Sequence, residues 1–251
     1  MILGAHELGF SYTAGAPALT DVTLNVRAGE RVALVGPNGG GKSTLLRLLC
    51  GALTPSAGRV TLDGHPLADV PLARRAALLA YVAPSATFGA PLPVRRIVEL
   101  GRRRRPARPD LITSALERFE LNALSDRNAQ LLSSGQRQRV SLARAWAQLS
   151  DCDSGVLVAD EPTSAMDPRY TRLALAALRE LSESGVAVVA ALHDLTSAAR
   201  FADSALVLGE GGRPLACGSS AEALSTERLR EAFGVDFLRL DTAAGTVITT
   251  G

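Results

Sequence analysis

The stretch Gly36-Pro37-Asn38-Gly39-Gly40-Gly41-Lys42-Ser43-Thr44 constrains this 251-residue chain more than any other. It follows Arg31-Val32-Ala33-Leu34-Val35, an apolar run that reads as a buried strand, and it opens into Leu45-Leu46-Arg47-Leu48-Leu49, whose spacing is helical. Strand, glycine-rich turn and helix in that order make a phosphate loop. The glycines let successive N–H groups point inward at phosphate oxygens, and the helix presents its positive end to the same anion. In such a loop Lys42 reaches the β- and γ-phosphates and the Ser43 hydroxyl holds Mg²⁺. A glycine-rich turn that binds nothing needs neither the full spacing nor the lysine. Of the 27 cationic residues 26 are arginine, which leaves Lys42 as the one lysine. A chain so biased toward arginine places a lysine where a compact ammonium fits among phosphates and a planar guanidinium does not.

The hydrophobic share of 47% with an aromatic share of only 4% points to an interior of Ala, Leu and Val, packed from helices and parallel strands. At this length one large α/β domain, with room for a subdomain, buries a full core. A net charge of +2 gives no electrostatic case for nucleic acid as a partner. Cys50, Cys152 and Cys217 are too scattered for a disulfide framework or a metal knuckle, and they fit a reducing cytosol. No stretch approaches the ~18 apolar residues of a membrane span. The longest, Val186 to Leu192, is strand-sized, and Met1-Ile2-Leu3-Gly4 has no charged export leader. The expectation is a soluble protein that acts at a membrane only through a partner.

Residues 2–30 alternate as short strands around a turn at Ala14-Gly15-Ala16-Pro17, with Phe10 and Tyr12 at the end of the first. Gly58 to Gly64 reads as another strand closed by a turn, and together these make an antiparallel flap beside the strand that feeds the phosphate loop. From Tyr81 to Pro93 the composition shifts to Ala, Pro and Gly, which marks a connector. Residues 94–149 read as a helical subdomain broken at Pro106, at Pro109 and around Asn122 to Asn128. The run Arg102-Arg103-Arg104-Arg105 lies inside it, either as a solvated helix end with anion contacts or as a cationic patch toward a membrane partner or anionic headgroups. A buried strand follows at 155–161, a helix at 168–183, a buried strand at 186–192, a helix at 195–202 and a strand at 204–208. Residues 212–251 read as a hairpin, a small helix at 226–233 and a last pair of strands. Such an order builds a parallel sheet with ligands at the carboxyl ends of its strands, just where Gly36, Asp160 and His193 fall.

A carboxylate at a strand end is ordinarily a cap. After four apolar residues and beside a phosphate loop, Asp160 is instead placed to bind Mg²⁺ through water and Glu161 to orient an attacking water. Downstream stands Pro162-Thr163-Ser164-Ala165-Met166-Asp167, and upstream Leu132-Ser133-Ser134-Gly135-Gln136-Arg137-Gln138-Arg139, a serine pair at a helix start. In the order phosphate loop, LSSGQ, VLVADEPTSAMD and HDL, these residues resemble the ATP-binding cassette (ABC) family of transport ATPases over nearly the whole chain. The resemblance implies a P-loop NTPase fold, α/β in class, with a mostly parallel central sheet, an antiparallel β flap and an inserted helical subdomain. It divides the chain into a nucleotide-binding core of residues 1–88 and 151–218, a helical signature subdomain of residues 89–150, and a tail of the core at 219–251.

It also implies adenine stacking by Tyr12, phosphate binding by Gly36, Asn38, Gly39, Gly40, Gly41, Lys42, Ser43 and Thr44, and Mg²⁺ coordination by Ser43 and Asp160. Water activation falls to Glu161 and contact with the γ-phosphate to His193. Two cassettes pair head to tail in this family, so Ser133, Gly135 and Gln136 would serve the partner's ATP and Asp167 the dimer contact. Trp146, after the signature, reads as core. The implied assembly is a homodimer at the cytoplasmic face of the membrane carrying two transmembrane permease subunits, with a substrate-binding protein acting indirectly.

Two positions depart from the family. Tyr81-Val82-Ala83 leads into Pro84 where the family has a glutamine, so the side-chain amide and the N–H are both missing there. Ser134 stands where glycine is usual and adds a Cβ where backbone should approach phosphate. The strings Leu79 to Val82, Pro91 to Arg95, Val98 to Arg102 and Phe233 to Leu240 look like importers of iron-siderophore, haem and cobalamin, most closely the last two.

Overall fold

The structure, a computed structural model, describes residues 2–13, 15–243 and 245–251. Its first strands are β1 (Leu3–Thr13), β2 (Ala16–Val26) and β3 (Arg31–Val35), followed by α1 (Lys42–Leu49), β4 (Ala57–Leu62) and β5 (His65–Pro66). Next come α2 (Leu72–Leu78), β6 (Leu79–Val82), α3 (Val94–Leu100), α4 (Pro109–Arg118) and α5 (Ser134–Leu149). The remainder runs β7 (Gly155–Asp160), α6 (Pro168–Glu183), β8 (Val186–Ala191), α7 (Leu195–Phe201), β9 (Ser204–Leu208) and β10 (Pro214–Ser219), then α8 (Ser220–Ala223), α9 (Thr226–Phe233), β11 (Phe237–Thr242) and β12 (Gly245–Thr250).

Among the described residues the strands form three sheets. The central one has the order β10-β9-β3-β8-β7-β6, parallel throughout except for β10, which runs antiparallel to β9. An antiparallel sheet of order β2-β1-β4-β5 is the flap, and β11 pairs with β12 as a small hairpin. The period-2 alternation of each central strand sorts its side chains onto two cores. Val32, Leu34, Val156, Val158, Val189 and Leu206 join α1 and the flap on one face. Ala33, Val35, Leu157, Ala159, Val188 and Ala190 join the helices on the other. Burial on both faces is why these strands read as continuous apolar runs.

The helical segment shares the second core rather than owning a separate one. Phe119, Leu121, Val140 and Leu142 belong to the same cluster as Leu157 and Ala190, and α3, α4 and α5 touch one another. Trp146 is 8% exposed, packed in this core beneath the Arg118 guanidinium, 4.8 Å from the ring centroid.

Several sequence-read boundaries move. Ala16 and Pro17 already belong to β2, because pairing with β1 reaches Thr13; Ala14 lies outside the described residues. Tyr81 and Val82 are strand, paired in parallel with Val158 and Ala159, so the connector starts at Ala83. Pro109 opens α4 rather than breaking it, since the first helical position needs no N–H partner. The strand ending in carboxylates stops at Asp160, β8 at Ala191 and α7 at Phe201. The hairpin expected inside 212–251 is instead β10 turning back onto β9. Helix α2 was not read at all, because it buries no residue and so has no apolar stripe.

Register fixes the site. Leu34 pairs with Ala191, Asp160 with the same Ala191, and Val35 with Val207. The carboxyl ends of β3, β7 and β8 therefore lie level, and Gly36, Glu161 and His193 emerge along one rim.

Candidate functional site

Gly41 occupies the position just before α1 with φ +84°, and a Cβ there would stand 2.4 Å from the Ala18 carbonyl oxygen of β2. Only glycine meets both conditions, so the flap strand closes directly over the loop. The N–H groups of Gly39, Gly41, Lys42 and Ser43 bond to no acceptor among the described residues. Unsatisfied donors on a helix N-terminus make an anion cradle.

Lys42 is 7% exposed, and its ammonium donates to the carbonyls of Gly36 at 2.7 Å and Pro37 at 2.8 Å. Burial lowers its pKa, opposed by the charges of Glu161 and Asp160. The ammonium is thus stored against its own loop. Tyr12 stands over the loop with its hydroxyl 3.2 Å from Thr44 Oγ1 and its ring edge-on to Phe10, and it is 57% exposed. Its free ring face is suited to stacking on a base.

Asp160 is fully buried, and neither carboxylate oxygen has a hydrogen-bond partner among the described residues. Burial pushes its carboxyl above the usual range. The Ser43 hydroxyl opposes that shift without completing a hydrogen bond, Glu161 adds to it, and Arg47 and Lys42 oppose it. An orphaned buried charge is costly and calls for a cation. Replacing Asp160 with Asn is therefore expected to raise the melting temperature of the nucleotide-free chain. A gain of about 1 kcal/mol corresponds to roughly 2–4 °C at this size. Differential scanning fluorimetry reads this directly, and a melting point at or below that of the parent would show the orphan charge to be harmless.

Glu161 has φ +48°, a left-handed conformation costly for this residue, and is held by its N–H on Ala191 O at 3.2 Å. Its Oε1 lies 2.6 Å from His193 Nε2, and both side chains reach solvent, the imidazole half exposed. His193 is thus a rim residue rather than an interior one, with Glu161 as its partner.

Ser133 and Gln136 cap α5 reciprocally: Ser133 Oγ accepts the Gln136 N–H at 3.3 Å, and Gln136 Oε1 accepts the Ser133 N–H at 3.0 Å. A Cβ on Gly135 would meet the Ala165 carbonyl oxygen at 2.5 Å, so glycine lets the helix tip pack on the loop after Glu161. Ser134 is exposed at that tip, and Asp167 caps α6 by accepting the Tyr170 N–H at 3.0 Å. No hydrogen bond or ion pair among the described residues joins Ser133 or Asp167 to Lys42.

Gln138 was missed by the sequence reading. It is 1% exposed, accepts the Ala86 N–H at 3.2 Å and donates to Ala83 O at 2.9 Å, bracketing Pro84. Arg137 Nε donates to Ala86 O at 3.1 Å, and Ser164 Oγ donates to Pro84 O at 2.7 Å. The connector is bound on one side to the signature helix and on the other to the loop behind Glu161. The available signal was a polar residue in the apolar stripe Leu142, Ala145 and Leu149 of α5.

A profile described as "ABC transporter" matches residues 19–164. The hemin import ATP-binding protein HmuV of Pseudomonas aeruginosa is 41% identical over 229 residues, covering 89% of each chain. A solved structure of a putative metal-chelate type ABC transporter in an inward-facing conformation superposes with TM-score 0.79 and 26% identity, over 100% of this chain and 97% of that one. A dimeric ATP-binding cassette in a post-hydrolysis state, bound to ADP and phosphate, superposes with TM-score 0.78 and 26% identity, over 87% and 99%.

Proposed function

The chain belongs to the ABC transporter family and is one of its ATPases, and from that premise we propose that it drives hemin import. The observation that carries the reading is the level rim: phosphate cradle, orphaned carboxylate and the Glu161–His193 pair follow three adjacent strand ends. Support for hemin as the cargo comes from the relatives, hemin import ATP-binding proteins, 41% identical in the case of the Pseudomonas aeruginosa protein.

ATP takes up the free N–H groups of Gly39, Gly41, Lys42 and Ser43, with further contacts from Gly36, Asn38, Gly40 and Thr44, and its base stacks on Tyr12. Lys42 leaves the Gly36 and Pro37 carbonyls for the phosphates, exchanging neutral acceptors for anionic ones. The buried, unpartnered Asp160 and the neighbouring Ser43 hydroxyl are hard oxygen donors that fit a small hard cation. Asp160 and Ser43 would hold Mg²⁺ there, and the ion would supply positive charge to neutralise the transferring phosphoryl group. Water attacks the γ-phosphorus, the bond to the β–γ bridging oxygen breaks and ADP leaves. Glu161 accepts the water's proton, and His193 turns from Glu161 to the γ-phosphate.

Ser133, Gly135 and Gln136 lie on a tip that makes no hydrogen bond to this chain's own loop among the described residues; they close the site of a second copy, with Asp167 at the seam. Two such chains at the cytoplasmic membrane face work two permease subunits, and a binding protein delivers hemin without touching this chain. No helix among the described residues is long and apolar enough to cross a membrane.

Reconstitution with the permease in liposomes tests the assignment: ATP-dependent hemin uptake is expected, and uptake of other chelates without hemin would redirect it. In the same system Pro84→Gln is expected to leave ATP affinity unchanged within about twofold. It should alter permease-coupled hydrolysis, because it restores a side-chain amide to a connector tied to both Gln138 and Ser164. Identical coupled rates in the two proteins would remove the connector from the coupling path.

A further inference from the structure

The arginine run in the helical segment divides into two pairs with different jobs. Arg102 is 4% exposed and forks onto Asp151, Nη1 to Oδ1 at 3.0 Å and Nη2 to Oδ2 at 2.8 Å. It also donates to Ala147 O at 2.8 Å and to Pro106 O. Arg105 makes a second ion pair to the same Asp151 at 3.1 Å and donates to Ala77 O and Cys152 Sγ. These two guanidinium groups pin residues 101–108 to the end of α5. Arg103 and Arg104, between them, are exposed, and no hydrogen bond or ion pair joins their side chains to any described residue.

Around the pair the charge is one-sided. Residues 95–108 hold seven arginines and one carboxylate, Glu99. Adding the two other acidic partners, Asp110 and Asp151, leaves seven cations against three anions. That local excess of four is twice the net charge of +2 carried by the whole chain. Arg95, Arg96, Arg102, Arg105 and Arg108 also line one cavity of about 300 Å³ with Glu99 and Ile112. Among the described residues no carboxylate pairs with Arg95.

We propose that this face binds the phosphate-bearing headgroups of an anionic lipid surface. Guanidinium forks match phosphate oxygens bidentately, and exposed clusters of this size draw a protein to negatively charged leaflets. A docked protein loop would call for an apolar or aromatic centre. Residues 94–110 contain no aromatic residue, and Leu100 at 38% exposure is the one large apolar side chain bared there among the described residues. The proposal does not rest on the nucleotide reading, which concerns residues on other elements.

Flotation of the purified chain with vesicles tests it, comparing phosphatidylglycerol mixed into phosphatidylcholine with phosphatidylcholine alone. Binding to the anionic vesicles that weakens with added salt is expected. The triple variant Arg95→Glu, Arg103→Glu, Arg104→Glu should bind about tenfold less or weaker still. The corresponding triple Lys variant should stay close to the parent, since the attraction is one of charge. ATP binding measured on the same samples checks that each variant is folded. Three results would overturn the proposal: equal flotation of the parent and the Glu variant, equal flotation on both vesicle types, or release by inorganic phosphate at an ionic strength where chloride releases nothing. The last would mark a site for free phosphate. A Glu variant that floats normally but no longer joins the permease would assign the face to protein instead.

Discussion

Replacing Glu161 with glutamine is expected to lower ATP turnover by about 10²–10⁴-fold, the span that a positioned general base contributes, while leaving ATP affinity close to that of the parent chain. The substitution keeps the shape of the side chain and removes its basicity. Glu161 lies just past β7 in a left-handed conformation, its N–H held by Ala191, and its carboxylate meets a half-exposed imidazole rather than the phosphate cradle. Nothing that grips the nucleotide is lost with the charge. Phosphate release under saturating ATP reads the rate, and nucleotide titration reads the affinity. Turnover within a few-fold of the parent would take the proton-accepting role away from Glu161. A large loss of affinity would instead place it in the binding machinery.

Lys42→Ala is expected to weaken ATP binding by at least about 100-fold, corresponding to roughly 3 kcal/mol for charge-assisted contacts to phosphate. The effect should not come from unfolding. In the nucleotide-free chain the ammonium is desolvated, its pKa lowered by burial, and its contacts are to two loop carbonyls that arginines elsewhere in the chain do not replace. Alanine removes a buried charge along with those two bonds, and the loop's shape is set independently by Gly41 beneath Ala18. A melting temperature near that of the parent together with lost nucleotide binding is the expected combination. Retained binding would move the triphosphate off this loop.

The residues that carry chemistry were legible in the sequence because each is announced by its neighbours. The glycines and the lone lysine mark the cradle, and four apolar residues ahead of Asp160 mark a buried strand end. Asp194, which caps α7, follows His193 in the same way. What the sequence does not show is how the parts answer one another. Gln138 reads as one more polar residue of the signature, yet burial turns it into the clasp across Pro84. The storage of Lys42 on its own carbonyls and the capture of Glu161 by His193 depend on side-chain geometry that spacing alone cannot supply. The four-arginine run reads as one cationic feature, whereas Asp151, some 50 positions away, takes two of the four into the fold. Helix α2 escapes because none of its residues is fully buried, and the hairpin expected at 212–251 is displaced because pairing of β10 with β9 is a long-range choice.

The claim on which the account turns is that the ATP site is divided between two copies, the cradle of one sealed by the serine-capped helix tip of the other. Light scattering on the Glu161→Gln chain, with and without Mg·ATP, measures this most directly. The expected result is a monomer without nucleotide and a dimer with it, the dimer being lost when Ser134, exposed at the tip, is also replaced by a bulky residue. A chain that binds ATP to saturation and stays monomeric, or that dimerises equally well with the tip blocked, would contradict it.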